Sequence, residues 1–293
     1  MARIEVFKTY KLFIGGQFPR SESGRYYTVK NAKGQALANI SLSSRKDFRN
    51  AVSAARSAQP SWAGRAAFNR GQILYRIAEM MEGRADQFVH ELEEMGLSTK
   101  AAHAETSMAI DRIVYYAGWC DKYQPIFSSV NPVASSHFNF SVPEPMGVVA
   151  LIADEESPLL GLVSVVLPAI AGGNACIVLA SESKPLSAVT FGEVLATSDL
   201  PAGVVNILTG NTRELAGQFS SHMDVNAVVY ARNNPEEKKM IQENGTLNIK
   251  RSFFYNKTWT REEGEGPFYI MDLQEIKTTW HPIENIGAGG GKY

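Results

Sequence analysis

Four runs decide the fold: Gly147-Val-Val-Ala-Leu-Ile-Ala153, Ala175-Cys-Ile-Val-Leu-Ala180, Val204-Val-Asn-Ile-Leu-Thr209 and Ala227-Val-Val-Tyr-Ala231. Each is short and largely apolar without a break, where a half-exposed strand would alternate. A strand apolar on both faces needs cover on both faces, which is the setting of a parallel sheet wrapped by helices. Helical segments stand between the runs, over about residues 158–171, 185–197, 214–219 and 235–243, and a weaker strand covers 250–255. The pattern predicts an α/β protein with a Rossmann-like parallel sheet, flanking helices and right-handed crossovers. Such sheets take ligands at the carboxyl ends of their strands.

Working outward, Tyr10-Lys-Leu-Phe-Ile14 reads as a strand entering a tight Gly15-Gly16 turn, with Gln17-Phe18 starting the return. Residues 31–39, rich in Gly, Ala and Asn, read as a loop. Ser44 reads as a helix N-cap, and Phe48, Val52 and Ala55 follow at helical spacing until Pro60 stops the run. Ile73, Leu74, Ile77, Met80 and Met81, extended by Phe88 and Leu92, form one apolar stripe. Met108, Ile110, Ile113, Val114 and Ala117 form another that ends near Gly118. Core packing explains both stripes. At 137–142 the period becomes two: Phe138, Phe140 and Val142 alternate with His137, Asn139 and Ser141, a strand ended by Pro143 and Pro145. Downstream, 256–267 is polar loop, and Ile276, Thr278 and Trp280 alternate in a last strand. The tail from Gly287 is glycine-rich but is no phosphate loop, since Ile286 and Tyr293 stand where that motif needs Gly and Ser or Thr. No internal repeat is visible.

The 293 residues are 44% hydrophobic and 20% charged, with a formal net charge of -1. No basic surface points to nucleic acid, and the longest apolar stretch, 159–170, is too short for a membrane span. The first residues have no signal-peptide core. Two cysteines, Cys120 and Cys176, fit a reducing cytoplasm, and no Cys or His pair has zinc-site spacing, so no metal is expected.

Several segments, in order, resemble aldehyde dehydrogenases: Tyr10-Lys-Leu-Phe-Ile-Gly-Gly-Gln-Phe18, Tyr115-Tyr-Ala-Gly-Trp-Cys-Asp-Lys122, Glu144-Pro-Met-Gly-Val-Val149, Gly173-Asn174, Lys184-Pro-Leu-Ser-Ala188, Pro201-Ala-Gly-Val-Val-Asn-Ile-Leu-Thr-Gly210 and Glu275-Ile-Lys-Thr-Thr-Trp280. The resemblance covers nearly the whole chain. It runs nearest to short bacterial aldehyde-dehydrogenase-like proteins, similar to a truncated second half of the family 16 enzymes. That family combines a dinucleotide-binding domain, a catalytic domain with a cysteine nucleophile, and an oligomerisation element. The resemblance therefore implies four parts: an N-terminal strand and helix layer over 1–135, an oligomerisation strand over 136–146, the parallel core over 147–255, and a linker, terminal oligomerisation strand and tail over 256–293. No stretch remains for a catalytic domain.

The family chemistry needs a thiolate, a carboxylate base and an oxyanion-holding amide. Neither cysteine matches the nucleophile: Cys120 ends a helix and Cys176 lies in a buried strand. The resemblance puts Tyr255 at the base and Glu156 at the amide, so no catalytic residue is expected. At the cofactor site Leu179 replaces a lysine. Ser181, Glu182 and Gly210 remain, and Arg232 enters the turn where glycine and serine would face pyrophosphate, although its charge could attract phosphate instead. Asp154, Glu155 and Glu156 gather negative charge at the mouth of the first core strand. They read either as a solvated loop or as a cation or basic-partner site. No cofactor, or only weak NAD(P) binding, is expected.

The leading expectation is a catalytically silent, oligomerising subunit in the cytoplasm. It forms at least a dimer through Phe138, Phe140, Val142, Ile276, Thr278 and Trp280, and partners a full-length aldehyde dehydrogenase. The alternatives are an NAD(P)-dependent aldehyde oxidoreductase with an atypical site or one completed by a partner's catalytic domain, and a nucleotide-sensing module.

Overall fold

The computed structural model describes residues 9–31 and 33–283. Three short strands come first: β1 (Thr9–Tyr10), β2 (Tyr26–Lys30) and β3 (Ala36–Ser41). Of the first expected strand, 10–14, only Tyr10 belongs to β1. Phe13 and Ile14 make only isolated bridges, to Ile207 and Gln17, around the expected Gly15-Gly16 turn, where both glycines have positive φ. The expected loop at 31–39 holds as far as Gln35 and gives way at Ala36 to β3, whose Ala38 and Ile40 alternate into the core. Small residues hid that period.

The helical layer follows as α1 (Arg45–Ala63), α2 (Ala67–Glu82), α3 (Ala85–Glu94), α4 (Thr99–Trp119) and α5 (Tyr123–Phe127). Ser44 caps α1 in a reciprocal box with Asp47. Pro60 does not stop α1. The helix runs on to Ala63, and the buried Trp62 indole anchors that last turn by donating to the Ile170 carbonyl at 2.9 Å. The single stripe expected over 73–92 is two helices, broken at Gly83 and Arg84.

The strands β4 (Ser129–Asn131) and β5 (His137–Pro145) lead into the core, which alternates β6 (Val148–Ile152), α6 (Leu160–Ala171), β7 (Ala175–Leu179), α7 (Leu186–Ala196), β8 (Val205–Leu208), α8 (Thr212–Ser221), β9 (Ala227–Tyr230), α9 (Pro235–Thr246) and β10 (Arg251–Phe254). The five core strands are parallel in the order β10-β9-β6-β7-β8. β6 to β9 are buried at every position, as their unbroken apolar runs require. The expected α/β class and Rossmann-like sheet are thus present.

Residues 255–273, with the short helix α10 (Phe268–Met271), connect β10 to β11 (Gln274–Pro282). β11 pairs antiparallel with β5 along its full length, and β4 covers the other side of β5. Pro143 and Pro145 do not end β5. Both lie past the end of β4, where one side of the strand has no ladder bond to lose. The glycine-rich tail lies outside the described residues.

Candidate functional site

The carboxyl ends of β6, β7 and β9 form the crevice where this fold class takes ligands. Arg232, just after β9, lies across it. Its Nε donates to the Ala153 carbonyl at 2.8 Å, Nη2 to the Ala180 carbonyl at 3.0 Å and Nη1 to Thr212 Oγ1 at 2.5 Å. The fourth partner is Glu155, at 3.2 Å, and the arginine side chain is only 11% exposed. The expectation that Arg232 could attract a phosphate thus meets an arginine already engaged by the chain itself.

Glu155 is held as firmly. Its carboxylate accepts from Ser181 Oγ at 3.0 Å, Glu182 N at 3.0 Å, Ser183 N at 2.8 Å and Ser183 Oγ at 2.6 Å. Burial acts to raise its carboxyl, but Arg232, Ser183 and Glu182 outweigh burial and hold it below the usual carboxylate range. The expected acidic cluster therefore separates into three parts with different partners. Asp154 accepts from Glu155 N and Ser157 N and fixes the turn. Glu156, with a side chain 84% exposed, turns outward to Lys184 at 3.1 Å. It does not point into a reaction site. Among the described residues no group of acidic, His or Cys side chains could hold a metal ion.

Ser181 and Glu182 do meet at the crevice, but Ser181 serves Glu155, and the Glu182 carboxylate accepts from Asn211 Nδ2 at 3.0 Å. Gly210 packs close to Ser43 and Leu42. Leu179 is wholly buried in β7.

The second half of the site belongs to the connection after β10. Tyr255 is buried and donates its hydroxyl to Asp272 at 2.8 Å. Burial, with Asp272 beside it, raises the phenol well above its ordinary value, so it is no base at neutral pH. Trp259 and Tyr269 pack their rings against it. Trp259 also presses on the first turn of α6, where a Cβ on Gly161 would lie 2.7 Å from the Asp154 Cβ and 3.3 Å from the indole nitrogen. Arg112, buried in α4, ties the connection down through the carbonyls of Trp259 and Gly264, Ser164 Oγ, and Glu265 at 3.0 Å. Glu105, also from α4, accepts from Leu159 N at 2.9 Å and Leu160 N at 3.1 Å, so it satisfies the start of α6. Sequence reading missed Arg112, Glu105 and Asp272. The first two are polar breaks in a helical stripe, and nothing local says that they face inward.

Both thiols are buried and unpaired. Burial pushes Cys120 up to about 12 and raises Cys176 further. Neither is a thiolate at neutral pH.

The six residues expected at an interface lie on one three-stranded sheet, but not on one face. The register sets Ile276, Thr278 and Trp280 opposite Pro143, Ser141 and Asn139. Directly paired residues share a face, so these three project away from the face of Phe138, Phe140 and Val142. Phe138 is 48% exposed, and Ile276 and Trp280 are each 56% exposed. No helix among the described residues is long and apolar enough to cross a membrane.

The family model described as the aldehyde dehydrogenase family matches residues 18–253. The chain is 30% identical to the cytosolic 10-formyltetrahydrofolate dehydrogenase of Xenopus tropicalis over 248 residues, which is 83% of this chain and 28% of that protein. It is 31% identical over 250 residues to the omega-crystallin of Enteroctopus dofleini, covering 83% of this chain and 50% of the crystallin. Among solved structures, the NAD+ complex of a Bacillus cereus aldehyde dehydrogenase superposes with a TM-score of 0.80 at 26% identity, over 84% of this chain and 50% of that one. A putative aldehyde dehydrogenase from Burkholderia cenocepacia gives 0.80 at 28% identity, over 85% and 50%. The chain thus spans about half the length of these structures.

Proposed function

We propose that this chain, which belongs to the aldehyde dehydrogenase family, is a catalytically silent member that acts by assembling with other subunits. The observation that carries this reading is the Arg232–Glu155 pair lying across the crevice at the carboxyl ends of the core strands. The residues present do not fit a dinucleotide. Arg232 spends its donors on Ala153, Ala180, Thr212 and Glu155, and Leu179 brings no polar group to the crevice. The reaction groups are equally unsuited, with buried thiols, a neutral Tyr255 bound to Asp272, and Glu156 turned to solvent.

What the chain offers instead is the sheet of β4, β5 and β11, with exposed apolar side chains on both faces. A second copy, or a full-length aldehyde dehydrogenase, covers those faces in this reading. The two buried, unpaired cysteines fit a cytoplasmic setting. The test is to purify the chain, measure NADH formation with simple aldehydes, and determine its mass by light scattering. No turnover together with a dimer or larger species is the expected result. Steady aldehyde-dependent NADH formation, or a well-folded monomer at micromolar concentration, would overturn the reading.

A further inference from the structure

A cleft of about 640 Å³ lies between the N-terminal ends of α1 and α8, beside the start of β2. Arg25, Arg45, Lys46, Arg49 and Arg213 line it, against two carboxylates, Glu22 and Glu214. In the sequence these cations are scattered between positions 25 and 213, so no basic run marks them. Folding gathers them on a chain whose formal net charge is -1.

The placement works against the helices. A helix N-terminus is the positive end of the dipole and is stabilised by acids. α9 follows that rule, with Glu236 and Glu237 in its first turn. The first turn of α1 instead holds Arg45 and Lys46, with Arg49 one turn on, and that of α8 holds Arg213. The nearby acids are already engaged. Asp47 is buried and accepts from Ser21 Oγ at 2.7 Å and from the backbone N–H groups of Glu22 and Ser44 at 3.1 and 2.8 Å. Glu214 pairs with Arg25, and Glu22 with Lys46. Arg45, Arg49 and Arg213 are exposed and form no ion pair among the described residues. Three like charges held where the fold disfavours them point to a ligand rather than to stability.

The surroundings select the kind of ligand. First-turn N–H groups that would cradle a phosphate are taken, since Lys46 N and Asp47 N donate to Ser44 Oγ and Arg213 N donates to Asn211 Oδ1. Among the described residues no aromatic ring lines the cleft to stack a base. What remains is guanidinium groups spread over two helices and a strand end, which suits carboxylates spaced along a polypeptide.

We propose that this cleft docks an acidic segment of a partner protein, whose carboxylates pair with Arg45, Arg49 and Arg213. Arg25 and Lys46 exchange their exposed pairs with Glu214 and Glu22 for incoming carboxylates at little cost, because such surface pairs contribute little. None of these residues belongs to β4, β5 or β11, so the surface is additional to the one proposed for assembly.

The test uses the whole chain with a labelled polyglutamate peptide and a labelled oligothymidine of equal charge, read by fluorescence anisotropy at low salt and by thermal melting. The parent should bind the peptide at one site per chain and more tightly than oligothymidine, and added salt should weaken the complex. Combining Arg45→Glu, Arg49→Glu and Arg213→Glu should weaken peptide binding at least about tenfold. The same variant, free of peptide, should melt no lower than the parent, because acids then stand at both helix starts. Combining Lys122→Glu, Lys239→Glu and Arg261→Glu, three exposed cations elsewhere, should leave binding unchanged. If the reversed variant does not fold, Arg45→Gln, Arg49→Gln and Arg213→Gln together remove the charge alone. A parent that does not bind the peptide overturns the proposal. So does oligothymidine bound as tightly as the peptide, an equal loss of binding in the control, or a reversed variant that melts clearly lower. Phe138→Asp with Trp280→Asp, which probes self-assembly, should leave peptide binding unchanged. A monomeric parent that still binds the peptide would sink the assembly reading and keep this one.

Discussion

At the residue scale, the groups that matter most are buried charges with neutral partners. Glu105 meets two backbone N–H groups at the start of α6. Removing it leaves two buried donors bare, so Glu105→Ala should cost about 2 kcal/mol in urea unfolding. Glu105→Gln, which keeps an acceptor, should cost less. Lys250 presents its ammonium to the carbonyls of His222 and Val225, each at 2.6 Å. Burial without a carboxylate pulls it down to about 8 from 10.5. Between those values the unfolded chain holds a proton that the folded chain has released. Stability should therefore rise as pH rises through that window and fall again as pH drops toward 8. Lys250→Met should flatten that slope, read as unfolding free energy at several pH values. Neither residue's role was legible in the sequence. A charge in an amphipathic stretch reads as solvated until the neighbouring elements are in place, and these neighbours lie 54 and 25 to 28 positions away.

At the element scale, the three-stranded sheet was legible in part. The two-residue period of β5 and β11 is written in the sequence and both strands form, but burial does not follow it: in β5 Asn139 is buried and Phe138 exposed, and in β11 Ile276, Thr278 and Trp280 are all exposed. The register was not legible, because a one-residue slip exchanges faces and nothing local fixes it. The register puts Phe138 and Trp280 on opposite faces, so the two contacts can be tested separately. Large exposed aromatics are strong interface anchors. If both faces are covered in an assembly, Phe138→Asp and Trp280→Asp should each lower the mass seen by light scattering, and the pair should give a monomer. An unchanged mass in the pair would mean that neither face makes the assembly. β3 shows the opposite failure: Ala38 and Ile40 keep the strand period, but small residues give it too little contrast to be seen against loop composition.

At the scale of the whole molecule, the closed crevice predicts that NAD does not stabilise the fold. A ligand at a hundredfold over its dissociation constant would add about 2.7 kcal/mol, an evident melting shift. Millimolar NAD should leave the melting temperature of the parent chain unchanged, and a clear upward shift would count against the closed state. The sequence by itself determined the sheet, the crossovers and the family, because continuous apolar strands between amphipathic helices admit few arrangements. It also placed Cys120 at a helix end and Cys176 in a buried strand, and both thiols are buried in the fold. What only the tertiary structure decided is how the charges are spent. Asp154, Glu155 and Glu156 are adjacent in sequence and read as one cluster of negative charge. In the fold, one closes its own turn, one neutralises Arg232 some 77 positions away, and one leaves for solvent and Lys184. Electrostatic energy depends on distance in space and on burial, and neither is set until the strands that carry these residues lie side by side.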